Sequence, residues 1–274
     1  VGTQNHAKWE IQNLVKDDIK FISALQPDGW QDITPSIEFY TRSSFCFPIK
    51  VLLEGEIAGT GTAIIHHDVA WLAHIIVHRN FRKKGIGRFI TESLVNRTEV
   101  KKTETIYLLA TDLGAPVYEK VGFETESEYL FFKDVRIEKG AKAAARIKPY
   151  KPNFKTQVED IDKKTSGEDR LFHFHDHLQN GYVYNNDGTV EGFYLPTLGD
   201  GLIIANKPSA GMELLNFHLQ SNEKVVLPQE NLTALNYLYK NGFKEFSTGK
   251  RMRLGKKRAV KLENIYNRIG GNLG

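Results

Sequence analysis

Trp71–Gly87 reads WLAHIIVHRNFRKKGIG. From Trp71 to Val77 the chain is almost continuously apolar and β-prone, the pattern of a strand buried on both faces. Arg82-Lys83-Lys84-Gly85-Ile86-Gly87 follows as an R-x-x-G-x-G turn. Arg88–Val95 then sets Phe89, Ile90, Leu94 and Val95 on one side of a helix. Strand, basic glycine turn and helix together make a phosphate site. Glycines let the backbone approach a ligand closely. The free N–H groups and dipole of a helix start favour an anion. Arg79, Arg82, Lys83, Lys84 and Arg88 add positive charge.

Two common phosphate loops do not fit. G-x-x-x-x-G-K-[ST] is absent, and G-x-G-x-x-G fails because Ile90 stands at its third glycine. The R-x-x-G-x-G turn instead resembles the loop of the GNAT acetyltransferases. A second match lies downstream. Thr105–Thr111 (TIYLLAT) is a buried strand, and Asp112–Phe123 (DLGAPVYEKVGF) a helix with Pro116 in its first turn and Gly122 beyond its end. The family carries N-x-x-A-x-x-x-Y-x-x-x-G-F here. This chain has Thr111, Gly114, Tyr118, Gly122 and Phe123 at those positions, departing at the first two.

The resemblance covers residues 8–135 and implies an α/β domain with a mixed sheet, using acetyl-CoA as cosubstrate. It implies that Arg82, Lys83, Lys84, Gly85, Ile86, Gly87 and Arg88 hold the pyrophosphate, with backbone groups of Ile75, Ile76 and Val77 polarising the thioester carbonyl. By the same resemblance, Tyr118 is the acid that protonates the leaving thiolate. Family members draw their bases from different positions, so the resemblance assigns none. The residues themselves offer His74, which strict alternation points opposite Ile75 and Val77; a satisfied core histidine is the other reading. His66 and His67 sit at a turn. Trp30, Phe39, Tyr40 and Phe45 fall in the region that lines the acceptor pocket in GNAT folds, and equally suit a core.

Upstream, residues 8–16 read as a strand and turn, with Asp17 or Asp18 capping a helix to about Leu25. Trp30–Phe45 reads as a second helix and loop. Glu54-Gly55 joins a hairpin, and His66-His67-Asp68 turns the chain into the central strand.

The second half repeats the first. Gly188–Gly192 (GTVEG) matches Gly55–Gly59 (GEIAG), and Gly201–Ala205 stands for the central strand. Asn231, Ala234, Gly242 and Phe243 restore the N-x-x-A and G-F positions, but the tyrosine is replaced by Leu238. The turn after the strand, Asn206–Gly211, holds Pro208 and no R-x-x-G-x-G. The sequence thus predicts two tandem GNAT-like domains: residues 1–138, acetyl-CoA-binding and catalytic, and 139–274, degenerate. A polar connection over 134–155, a helix start at Gly167 and a short helix in the tail Ala259–Gly274 complete the reading.

Of the 274 residues, 41% are hydrophobic and 26% charged, ordinary for a globular protein. There is no apolar run long enough to span a membrane and no apolar leader core in VGTQNHAKWEIQ. The single Cys46 excludes an internal disulfide, so a cytoplasmic location is expected. Net charge of +4 does not point to nucleic acid, and Lys250–Arg258 lacks the interleaved aromatics of a nucleic-acid surface, reading as a solvated strand end or a second-domain contact. His173, His175, Asp176 and His177 lack companion ligands, so no metal is expected. The function expected is N-acetylation of an amine, on a small molecule or a protein, by direct attack on acetyl-CoA. A non-catalytic acyl-CoA sensor is the alternative.

Overall fold

The computed structural model describes residues 9–136 and 145–274. The chain divides into two compact units. The first comprises 1–109, 113–124 and 253–256; the second, 110–112, 125–252 and 257–274. The predicted 138/139 boundary lies outside the described residues. Along the chain the two units divide near Glu124, and residues 253–256 group with the first.

In the first unit, β1 (Glu10–Asn13) is followed by the short helix α1 (Ile19–Ile22) and by α2 (Thr34–Arg42). Then come β2 (Cys46–Leu53), β3 (Glu56–His66), β4 (Val69–Val77), α3 (Ile86–Val100), β5 (Thr105–Ala110) and α4 (Ala115–Glu119). β1 to β4 run antiparallel in sequence order, and β5 lies parallel to β4. The sheet is therefore mixed, and α3 is the crossover that a parallel pair requires. Glu54 and Gly55 both have positive φ, 55° and 84°, which matches the right-handed twist of the hairpin they join. α3 packs closely on β3 because Gly61 has no side chain. A Cβ there would stand 2.7 Å from Ile90 and 2.9 Å from Leu94.

Asp18 does not cap a long helix. It accepts from the Val15 N–H at 2.9 Å and pairs with Lys50 at 2.6 Å, tying the chain entry to β2. The predicted helix to Leu25 is broken into α1 and flanking 3-10 turns.

β6 (Glu124–Phe132) leads from the first unit into the second. After β7 (Ile147–Pro149) and α5 (Lys155–Ser166) come β8 (Tyr182–Asn186), β9 (Thr189–Leu195), β10 (Leu202–Ala205) and α6 (Pro208–Leu219). β11 (Val225–Pro228), α7 (Leu232–Lys240), β12 (Glu245–Gly255) and β13 (Ile265–Asn267) complete it. A five-stranded sheet has the order β13-β10-β9-β8-β7. β10 lies beside β9 as β4 lies beside β3, but its other neighbour, β13, is antiparallel where β5 is parallel. Tyr184, Ile203, Leu214, Leu227, Leu238 and Tyr266 share one core.

Three expectations are corrected. Gly167 ends a helix rather than starting one; with φ 71° it follows α5, which begins where the expected connection ends. The tail holds a short 3-10 helix, Leu262–Asn264, but runs straight on into β13, with Ile265, Tyr266, Ile269 and Leu273 buried. The basic strand end is solvated only beyond β12, at the exposed Lys256 and Lys257. Arg251 and Arg253 are buried, facing Glu126 at 3.7 Å and Glu124 at 2.6 Å, because neighbouring strands supply their counter-charges.

Candidate functional site

β4 and β5 pair from Val69–Leu72 against Thr105–Leu108, and the ladder stops there. β4 runs on for five more residues, Ala73–Val77, so its backbone on that edge is released from the ladder where the predicted carbonyl-polarising groups lie. Ile76 is buried; Ile75 and Val77 are half-buried.

The opposite edge of β4 is irregular. Thr62 pairs with Ala73 and Thr60 with Ile76, so His74 and Ile75 together face the single residue Gly61. This is a β-bulge, and His74 takes φ 48°. Histidine is among the residues that tolerate this left-handed region best. Strict alternation therefore fails at His74, and its orientation follows from the bulge rather than from the pleat.

His74 Nδ1 lies 2.9 Å from the hydroxyl of Tyr40, on α2. The rings meet edge-on at 5.5 Å, and Trp30 stands edge-on to His74 at 6.2 Å. Phe39 links Tyr40, at 6.1 Å, to Phe45, at 5.9 Å. Tyr40 is 1% exposed, whereas Trp30 and Phe39 are each 47% exposed. The four aromatics singled out in the sequence are thus one connected group, half core and half surface. Burial lowers the His74 pKa from 6.5 to about 4, so the ring is neutral at physiological pH.

The glycine turn folds back on the end of β4. Arg82 Nε donates to the Val77 carbonyl at 3.2 Å. Gly85 caps α3 with φ 90°, which a side chain would resist. The first backbone bond of the helix runs from the Phe89 N–H to the Gly85 carbonyl, so the N–H groups of Ile86, Gly87 and Arg88 precede the ladder. Arg82, Lys83, Lys84, Gly85 and Arg88 are exposed, Ile86 is buried and Gly87 half-buried. Arg88 pairs with Glu92 at 2.7 Å across a solvent-exposed helix face, a weak tie.

Gly87 is where the predicted pieces converge. A Cβ on it would touch Val77 at 3.6 Å and Val117, on α4, at 3.9 Å. α4 begins at Gly114 and carries Pro116 in its first turn; Asp112 does not cap it. Tyr118, the next residue after Val117, packs edge-on against Phe123 at 6.2 Å. Its hydroxyl makes no hydrogen bond among the described residues. Burial pushes its pKa up to about 12, which keeps the phenol in its acid form.

The histidine cluster of the second unit does not converge. His173 stacks on Phe172 at 3.9 Å, and His177 bonds Thr197 at 2.8 Å. Among the described residues no three metal-ligating side chains come together, and no helix is long and apolar enough to cross a membrane.

The sequence offers Tyr40 as acceptor-region lining or as core, not as a partner of His74. Its bond to His74 spans 34 positions and leaves no local signal.

Known proteins resemble this chain in sequence and in fold. Residues 44–125 match the family model described as acetyltransferase (GNAT) domain. The Bacillus subtilis protein YyaT is 31% identical over 91 residues, covering 33% of this chain and 62% of that protein's length. A candidate acetyltransferase from Pyrococcus horikoshii superposes over 100% of this chain and 98% of its own, with TM-score 0.81 and 22% identity. A GCN5-related N-acetyltransferase from Sphaerobacter thermophilus covers 92% and 98%, with TM-score 0.64 and 14% identity. A tandem GNAT protein from the clavulanic acid biosynthesis pathway covers 90% and 98%, with TM-score 0.60 and 12% identity. At such identities the structural likenesses speak for the fold. Residues 44–125 thus match a GNAT acetyltransferase domain, and the chain shares the fold of these solved structures, a tandem GNAT protein among them.

Proposed function

We propose that the protein is an acetyl-CoA-dependent N-acetyltransferase whose chemistry resides in the first unit. The observation that carries this is the convergence at Gly87 of the released end of β4, the N-terminus of α3 and the helix of Tyr118. The turn Arg82–Gly87, with Arg88, holds the pyrophosphate through its basic side chains and the leading N–H groups of α3. Backbone groups of Ile75–Val77 hold the thioester carbonyl.

The neutral amine attacks the carbonyl carbon directly. Its lone pair forms the C–N bond, and the C–S bond breaks toward sulfur. The Tyr118 phenol gives its proton to the departing sulfur. A free thiol has pKa near 8.5 and the phenol about 12. Donation is therefore favoured only as the same dry surroundings raise the basicity of the sulfur. His74, neutral with a lone pair, takes the proton the amine releases.

We infer that the second unit is a degenerate GNAT-like domain without acetyl transfer of its own, since Leu238 fills the tyrosine position and Pro208 opens α6. The acceptor is an amine on a small molecule or a protein. The exposed Trp30 beside His74, with the exposed Phe39 against Tyr40, favours one with an apolar or flat portion. A cytoplasmic location fits a single buried Cys46, whose thiol burial pushes up to about 12.

A thermal-shift titration with acetyl-CoA, with ATP and NAD as controls, tests the reading. A ligand at about 100 times its dissociation constant adds about 2.7 kcal/mol. The shift is expected with acetyl-CoA alone and lost in Arg82→Glu. Acetyl-CoA giving no shift would overturn it. A shift without thiol release across a panel of alkyl and aryl amines would leave only a sensing role.

A further inference from the structure

The fold contains two tyrosine–histidine pairs with the same geometry and different surroundings. Tyr40 Oη lies 2.9 Å from His74 Nδ1, and Tyr194 Oη lies 2.9 Å from His218 Nδ1. His218 is 2% exposed, and its second nitrogen, Nε2, bonds the Lys224 carbonyl at 3.0 Å. A carbonyl only accepts, so Nε2 carries the hydrogen. With burial holding the ring neutral, Nδ1 is then the lone pair that accepts from the Tyr194 hydroxyl. Both nitrogens are spent, and the pair is a closed structural element.

His74 is not closed. Its Nδ1 is held by Tyr40, while no protein group among the described residues bonds its Nε2. The ring is half-buried rather than sealed, and it sits on a bulge at φ 48°, next to the released end of β4. A half-buried ring with one nitrogen tied and the other open is arranged to exchange a proton at the open one.

We propose that Tyr40 is a positioning residue for His74: its hydroxyl oxygen accepts the Nδ1–H and so fixes the tautomer that leaves the lone pair on Nε2. When Nε2 takes a proton from an incoming amine, the Nδ1–H bond to Tyr40 is kept and carries the new positive charge into a hydrogen bond. No bond other than that of the transferred proton breaks. The opposite arrangement, with Tyr40 donating to Nδ1, would put hydrogen on Nε2 and remove the base. The proton-accepting role rests on the acetyl-transfer reading; the tautomer does not.

The test is spectroscopic. Protein with 15N-labelled histidine is examined at neutral pH by long-range proton–nitrogen correlation, with the His74 signals assigned by their loss in His74→Gln. The result expected is a single neutral tautomer, with hydrogen on Nδ1 and a lone pair on Nε2. In Tyr40→Phe, which keeps the buried ring and removes only the hydroxyl, His74 should shift to the Nε2–H form or to a mixture, with His218 unchanged as the internal standard. Hydrogen on Nε2 in the native protein overturns the proposal. So does an unchanged tautomer in Tyr40→Phe. If that variant does not fold, the native tautomer decides alone. Acetyl-CoA thermal shifts on the same samples separate the two readings: a native protein with the expected tautomer but no shift removes the acetyl-transfer reading and leaves the role of Tyr40 in place.

Discussion

α4 and α7 end on the same device, one in each unit. The Gly122 N–H bonds the Glu119 carbonyl at 3.0 Å and the Phe123 N–H that of Tyr118 at 3.1 Å. The Gly242 N–H bonds Tyr239 at 3.0 Å and the Phe243 N–H bonds Leu238 at 3.1 Å. Both glycines have positive φ, 103° and 81°. The backbone is duplicated almost bond for bond. What differs is the side chain four residues before the turn's end. Tyr118 carries a hydroxyl with no partner among the described residues, and Leu238 is fully buried in a core. The same contrast recurs at the helix starts. Gly85 opens α3 with left-handed backbone and basic neighbours, while Lys207 has extended backbone and Pro208 removes a donor. Asn231 caps α7 through its side chain, accepting from the Ala234 N–H at 3.0 Å, whereas Gly114 gives α4 no side-chain cap. The first unit keeps a basic glycine turn and a Tyr118 hydroxyl that has no hydrogen bond among the described residues. The other has turned the same positions into packing and caps.

That contrast breaks most sharply at its central pair. Tyr118→Phe should lower turnover by about 10²–10³-fold with acetyl-CoA affinity little changed, the scale of general acid catalysis. Steady-state kinetics on an accepted amine reads it, and loss of affinity with unchanged turnover would erase the distinction from Leu238. Leu238→Ala should instead cost about 2–5 kcal/mol of stability by leaving a cavity. Urea unfolding measures this, and a loss well below that range would mean that the second core is not closely packed.

The histidine pairs give an effect of pH. The folded pKa of His74, about 4, lies below its free value of 6.5. Between those values the unfolded chain binds a proton that the folded one refuses. His74's contribution is therefore fully present above about pH 6.5 and is lost as pH falls to about 4, to the extent of about 3 kcal/mol. His218 and the carboxylates add losses of their own, so the measurement is the difference between native protein and His74→Gln across that window. Parallel curves would place His74 in solvent. The smallest effect is expected at the cap. Asn231→Ala should cost about 1–2 kcal/mol, read as a lowered unfolding midpoint, since the side chain also donates to the Ile265 carbonyl at 3.0 Å. A neutral result would make the cap ornamental.

Whatever is written within a few residues was legible. Glu54-Gly55 gave its hairpin, Gly85 and Gly122 their positive-φ turns, Pro116 its helix start, and the apolar run its strand, because steric limits on φ and alternation of side chains act locally. The duplication was legible for the same reason. Arg251 and Arg253 were misread as solvated, because their carboxylates come from a strand more than a hundred positions earlier. Gly167 was placed at the wrong end of its helix, since α5 has the composition of a polar linker and is held by burying Val158 and Ile161.

The amino-acid order by itself thus determined the GNAT pattern, the basic glycine turn at the start of α3 and the place of Tyr118 on α4. Only the tertiary structure decided what His74 is. Its bulge exists because two residues of β4 face Gly61 alone, and its partner Tyr40 arrives on a helix formed long before β4 in the chain. Hydrogen-bond partnership and dehydration depend on which segments the fold brings together, and no local pattern encodes them.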